Sequence, residues 1–168
     1  GFGERCLLGF GSTAGPPMLS VLYNNHKRIV QGEDTVIIQV EMNHDARVIP
    51  IDGTPTLNDD VRLWHGDSRG YWDGDTLVVT TTNYASHATF RGITSNNMTV
   101  TERFTRAGPQ TLNYEVTIDD PTTYTKPWTV MIPLMGTTDA VYEYACHEGN
   151  IGMDGILAGH RAEEREAL

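Results

Sequence analysis

Val36-Ile37-Ile38-Gln39-Val40-Glu41-Met42-Asn43-His44-Asp45-Ala46-Arg47-Val48-Ile49-Pro50-Ile51 places ionisable residues inside what otherwise reads as one long β-strand. Successive strand side chains point to opposite faces. One face therefore carries Val36, Ile38, Val40, Met42, His44, Ala46 and Val48. The other carries Ile37, Gln39, Glu41, Asn43, Asp45, Arg47 and Ile49. A purely structural strand would set Lys, Thr and Ser on its second face, whereas this one gathers acids and a guanidinium among β-branched residues. Charges in such surroundings are costly unless paired.

Two readings of this cluster follow. In the structural one, an Arg–carboxylate pair between strands fixes register. In the functional one, Glu41, His44, Asp45 and Arg47 form a catalytic set, with a bulge at Asn43 bringing His44 round to the acidic face. One carboxylate, Glu41 or Asp45, would then act as base while Arg47 stabilises an oxyanion. An Arg beside a carboxylate lowers its pKa, and burial without a partner raises it toward the range useful for proton transfer.

Outward from this stretch, nearly every segment reads as strand: 61–65, 71–72 with 76–82, 98–106, 111–118, 127–134 and 140–147. The separators are turn chemistry, such as Asp52-Gly53-Thr54-Pro55, Ala107-Gly108-Pro109 and Asp119-Asp120-Pro121. Trp72-Asp73-Gly74-Asp75 ahead of Thr76-Leu77-Val78-Val79 is the strongest hairpin signal. Met98, Val100, Glu102 and Phe104 share one face of a strand, and Leu112, Tyr114, Val116 and Ile118 share one face of the next. Val141, Glu143, Ala145 and His147 alternate in the last. The first and last of these faces each hold an acid, Glu102 and Glu143, whereas the Leu112–Ile118 face is an ordinary inward one with Glu115 turned out; such mixed interiors suit a barrel with a ligand cavity. The expectation is an all-β protein: an antiparallel β-barrel, lipocalin-like or a strongly curved sheet, with a short C-terminal helix. It spans 1–168 as a single domain, with an irregular N-terminal arm over 1–20 and the helix over 154–167.

Composition narrows the function classes. At 168 residues the chain can bury a sizeable core. A net charge of −10 argues against nucleic acid as a partner. No apolar run approaches the length of a membrane span. The chain opens with Gly1 and not Met, so it is expected to be a processed mature form or a trimmed piece, with any export signal lying upstream. Cys6 and Cys146 either bridge the two ends, as suits an exported protein, or are two separate buried thiols.

Three further constellations carry candidate chemistry. Trp64-His65-Gly66-Asp67-Ser68-Arg69-Gly70-Tyr71-Trp72 holds Ser, His and Asp as neighbours, but triad members converge from separate segments. Gly66 to Gly70 is better read as a turn whose Asp67 accepts from backbone amides, with Arg69 stacked on an indole. A metal site from His44, His65 and His147 with Glu41 or Glu143 lacks the spacing of a specific motif, so no metal is assigned. His26, His87 and His160 lie in polar surroundings and read as surface residues. The segment from Asp119 to Trp128 reads as a rigid aromatic loop that either covers a barrel mouth or packs at a barrel end.

Five ordered motifs run through the chain. They are Glu-Met-x-His-Asp-x-Arg-x-Ile-Pro-x-Asp-Gly (41–53), Gly-Asp-Ser-Arg-Gly-x-Trp-x-Gly-Asp-Thr-Leu-Val-Val (66–79), Glu-Arg-Phe-Thr-Arg (102–106), Thr-Ile-Asp-Asp-Pro-x-x-Tyr-Thr-x-Pro-Trp (117–128) and Cys-His-Glu-Gly-Asn (146–150). In these the sequence resembles a large family of apparently exported all-β proteins of environmental bacteria, acidobacteria and proteobacteria among them. The resemblance implies a periplasmic or extracellular all-β domain. It brings no established activity and no catalytic residue.

Together these observations give a β-barrel whose lumen takes a small, partly apolar or aromatic molecule without a cofactor. Glu102, Tyr114, Trp64, Arg69, Trp128 and Glu143 would line the ligand site. If catalytic, the chemistry would be a lyase, isomerase or hydrolase step. The alternatives are a binder without chemistry and a subunit of an extracellular homo-oligomer that assembles through edge strands.

Overall fold

Alternating apolar residues between tight turns build ten strands, described in a computed structural model for residues 3, 5–9, 15–85, 89–90, 93–94 and 96–167. The strands are β1 (Lys27–Gln31), β2 (Thr35–Val40), β3 (Ala46–Pro50), β4 (Asp67–Asp73), β5 (Thr76–Thr82), β6 (Thr89–Phe90), β7 (Ile93–Thr94), β8 (Thr99–Gly108), β9 (Thr111–Asp119) and β10 (Trp128–Met135). One helix, α1 (Gly152–Glu166), follows, close to the expected 154–167. None of the described helices is long and apolar enough to cross a membrane. His87 and part of the Gly-rich opening segment lie outside the described residues.

The strands pair antiparallel into a three-stranded sheet, β1-β2-β3, and a five-stranded sheet, β10-β9-β8-β5-β4, with β6-β7 as a separate small ladder. The expected closed barrel is not formed among the described residues. No ladder joins the two larger sheets, and β1, β3, β4 and β10 remain edges. The sheets instead share one core. Val36, Ile38 and Ile49 from the smaller sheet pack with Leu77, Val79, Val100, Phe104, Tyr114, Val116 and Ile118 from the larger, and Met18 and Tyr84 complete it.

The long strand expected over 36–51 is a hairpin. Val40 N–H bonds to Asp45 O at 2.8 Å, closing a four-residue loop that contains the 3₁₀ turn Met42–His44. Asn43 and His44 adopt φ of 63° and 54°, the left-handed region that Asn and His tolerate better than most residues. The fold-back alters which side chains share a face. Directly opposed residues point the same way, and the register sets Val36 against Ile49 and Ile38 against Arg47. Arg47 is therefore carried into the core beside the even-numbered residues of β2.

On the larger sheet the expected faces hold. Met98, Val100, Glu102 and Phe104 are all buried, as are Tyr114, Val116 and Ile118. The β4–β5 hairpin turns where Trp72-Asp73-Gly74-Asp75 places it, with Asp73 opposite Thr76 and Gly74 at φ 59°. Three expectations are corrected. Residues 61–65 contribute only a single bridge, Leu63 to Tyr84. Residues 67–70 belong to β4 and not to a turn; the turn conformation falls on Gly66, at φ 71°, where a Cβ would meet Thr82 O at 2.6 Å. Residues 140–145 form no ladder.

Candidate functional site

The 41–45 loop binds the segments around Cys6, Asn24 and Tyr142–Tyr144. Glu41 Oε2 accepts the backbone N–H of Tyr142 at 2.9 Å, and Oε1 accepts Asn24 Nδ2 at 2.7 Å. His44 Nε2 accepts the backbone N–H of Tyr144 at 2.9 Å. The segment expected as a strand over 140–147 thus lies along this loop with alternate amides bonded to side chains in place of a neighbouring strand. Asn43 Nδ2 reaches Cys6 O at 3.4 Å, and Cys6 is bridged to Cys146 by the disulfide expected from the sequence. The Tyr142 amide, with help from Asn24 and His26, holds the Glu41 carboxyl below its usual range against the opposing effect of burial. Asp45 points elsewhere, with Oδ2 at 3.5 Å from His65 Nε2.

Arg47 leaves this group altogether. Its guanidinium meets Glu102 fork to fork, Nη1 to Oε2 at 2.6 Å and Nη2 to Oε1 at 3.0 Å, and both side chains are buried. Tyr114 donates its hydroxyl to Glu102 Oε1 at 2.9 Å and accepts the Met18 amide at 2.9 Å. One network therefore ties β3, β8, β9 and the segment before β1. Burial works to lower the Arg47 pKa, but the charge and hydrogen bonds of Glu102 outweigh it, so Arg47 is held above its ordinary value. Burial, reinforced by the Glu102 charge, pushes the phenols of Tyr84 and Tyr114 well up. Both stay neutral donors, and Tyr84 gives its hydroxyl to Pro16 O at 3.2 Å.

The Gly66–Gly70 stretch fixes a loop. Asp67 Oδ2 accepts the Leu57 amide at 2.8 Å, as expected for an acid that takes backbone amides. Arg69 pairs with Asp67 and donates Nε to the carbonyls of Thr54 and Pro55 at 3.1 and 3.0 Å, so its planar head is turned to the 52–62 loop and not to an indole. Asn83 Nδ2 holds the same loop through the carbonyls of Leu57, Asn58 and Val61. Ser68 is buried and shares a hydrogen bond with Thr81 at 2.8 Å. Trp64 and Glu143 are exposed, and Trp128 makes an edge contact with Tyr124 at 5.8 Å.

The hollow lies elsewhere. A cleft of about 880 Å³ opens between the sheets on the side of the edge strands β1 and β10. Val36, Ile38 and Ile29 line one wall, and Leu77, Phe104 and Ile132 line the other. Lys27 and Arg106 also line it. Strand register sets both on inward faces, Lys27 opposite Val40 and Arg106 opposite Leu112. None of the catalytic or ligand-lining residues named from the sequence lines this cleft, although Trp72 of the 64–72 constellation does. Among the described residues, no three His, Cys, Asp or Glu come together to hold a metal ion.

No protein-family model matches the chain, and no curated protein or solved structure does either. Function must therefore be read from the site alone. A largely apolar cleft with a few polar groups is the common form of a small-molecule site, and its volume falls within the usual range of roughly 300–1,000 Å³. Sequence reasoning missed it because β1 was not recognised: Lys27-Arg28-Ile29-Val30-Gln31 lacks clean alternation. The one local signal was Gly32-Glu33-Asp34, the turn that returns β1 into β2.

Proposed function

We propose that this is an exported binding protein that takes a small, partly apolar molecule into the cleft between its two sheets, without catalysis. One observation carries the reading: a cleft of about 880 Å³ is lined by inward-facing apolar residues from both sheets, while the ionisable side chains of the 41–47 motif are engaged elsewhere. The disulfide Cys6–Cys146 supports the compartment. A general base at Glu41 is the weaker reading, because amide donors occupy both carboxyl oxygens and depress its pKa.

Native mass spectrometry of freshly purified protein tests this. The expected result is a co-purifying mass that is lost in Leu134→Arg, which places a charge in the cleft, while the variant keeps its β-sheet circular dichroism. A protein that emerges empty and gains no thermal stability from any of a panel of apolar acids, alcohols and aromatics would overturn it. Assembly is the second reading, favoured by the unpaired edges β1 and β10, where Val30 and Met131 are exposed. Sedimentation that shifts with concentration would support it.

A further inference from the structure

We propose that the cleft selects an apolar molecule bearing a single carboxylate, and that Lys27 is the residue that receives the carboxylate. This rests on the cleft being a binding site and adds the chemistry of its occupant. Lys27 is one of only two lysines in the chain, the other being Lys126 in an exposed loop. Register places Lys27 with Ile29 and Gln31 on the inward face of β1, opposite Val40, Ile38 and Val36. Its side chain is half-buried, and its ammonium donates to a single backbone carbonyl, that of Asn25, at 3.0 Å. No carboxylate pairs with it among the described residues. An ammonium has three donors, so a group placed over an apolar wall with one neutral acceptor is short of partners.

The net charge of −10, with Asp75 and Asp139 also lining the cleft, opposes an anion, so a carboxylate bound there depends on a local cation. Burial already lowers the Lys27 pKa, which a bound carboxylate would reverse. Beside Lys27, the walls offered by Ile29, Ile38, Phe104, Ile132 and Leu134 suit a hydrocarbon or aromatic body. Arg106 also lies on an inward face but is exposed and donates to Pro109 O at 3.1 Å, which makes it the lesser candidate.

Decanoate, decanol and decyltrimethylammonium, each kept below its micellar concentration, provide the test by titration calorimetry. The full chain is expected to bind decanoate about tenfold or more tightly than decanol, with the cation weakest. In Lys27→Gln the acid-to-alcohol ratio should collapse toward one, whereas Lys126→Gln should leave it unchanged. With only two lysines present, a second readout is direct: decanoate should protect Lys27, and not Lys126, from reductive methylation followed by peptide mass spectrometry. Equal binding of acid and alcohol, or a ratio abolished by Arg106→Gln and not by Lys27→Gln, overturns the assignment while leaving the cleft as a binding site. Failure of all three probes to bind overturns both.

Discussion

Arg47 and Glu102 lie 55 residues apart and meet in the core with both Nη atoms of the guanidinium engaged. A buried ion pair is weak evidence of net stability, but removing one partner leaves the other charge stranded. Glu102→Gln is therefore expected to cost about 3–5 kcal/mol in urea denaturation. Arg47→Met combined with Glu102→Leu should cost much less than the two single changes summed, because it strands no charge and leaves only the Tyr114 hydroxyl without its acceptor. Glu41 gives a pH-dependent counterpart. Its folded-state pKa is depressed, so its contribution is fully present above the unfolded carboxylate value, about 4.3, and is lost as pH falls through the folded value. Wild type should melt above Glu41→Gln at pH 7, and the gap should close in acid. At this scale the sequence was half legible. Acids on apolar faces drew attention to Glu41, Arg47 and Glu102, but local spacing carries no information about a partner that only the packing of two sheets supplies.

At the scale of elements, the decisive event is the fold-back at Glu41–Asp45. A strand reading keeps Arg47 with Glu41 on one face; the hairpin separates them and buries Arg47 opposite Ile38. The turn was hard to see because it lacks Gly and Pro, the usual punctuation. Its signal was Asn43-His44-Asp45, residue types that accept left-handed or turn geometry with less strain. Where Gly punctuation was present, as at Asp73-Gly74, the hairpin appears in the expected place. The 140–147 segment had strand-like alternation but found side-chain acceptors instead of a ladder. His44→Ala should therefore leave the core intact while speeding amide hydrogen exchange at Tyr144, whose N–H loses its acceptor.

Across the whole molecule, the two sheets approach closely on one side and part on the other. On the closed side Gly70 of β4 lies against β3, where a Cβ would come within 2.9 Å of Ile51 Cγ2 and 3.0 Å of Ile49 Cγ2. Gly70→Val should cost about 1–3 kcal/mol by prying that side apart, seen as a lower denaturation midpoint. On the open side β1 and β10 flank the cleft. The all-β, antiparallel character was legible from alternation and turns. Closure was not, because whether edge strands pair depends on long-range register that no local pattern encodes.

The bridge between Cys6 and Cys146 has a topological consequence. The smaller sheet lies wholly before Arg62 and the larger wholly after it, so the exposed 52–62 loop is the one passage of main chain between them. Trypsin cutting after Arg62 should yield a two-piece molecule, residues 1–62 and 63–168, that migrates as one species until a reductant is added. While the sulfur tether holds, each half keeps the other at high effective concentration and the nicked protein should melt cooperatively; once reduced, the halves should be free to drift apart.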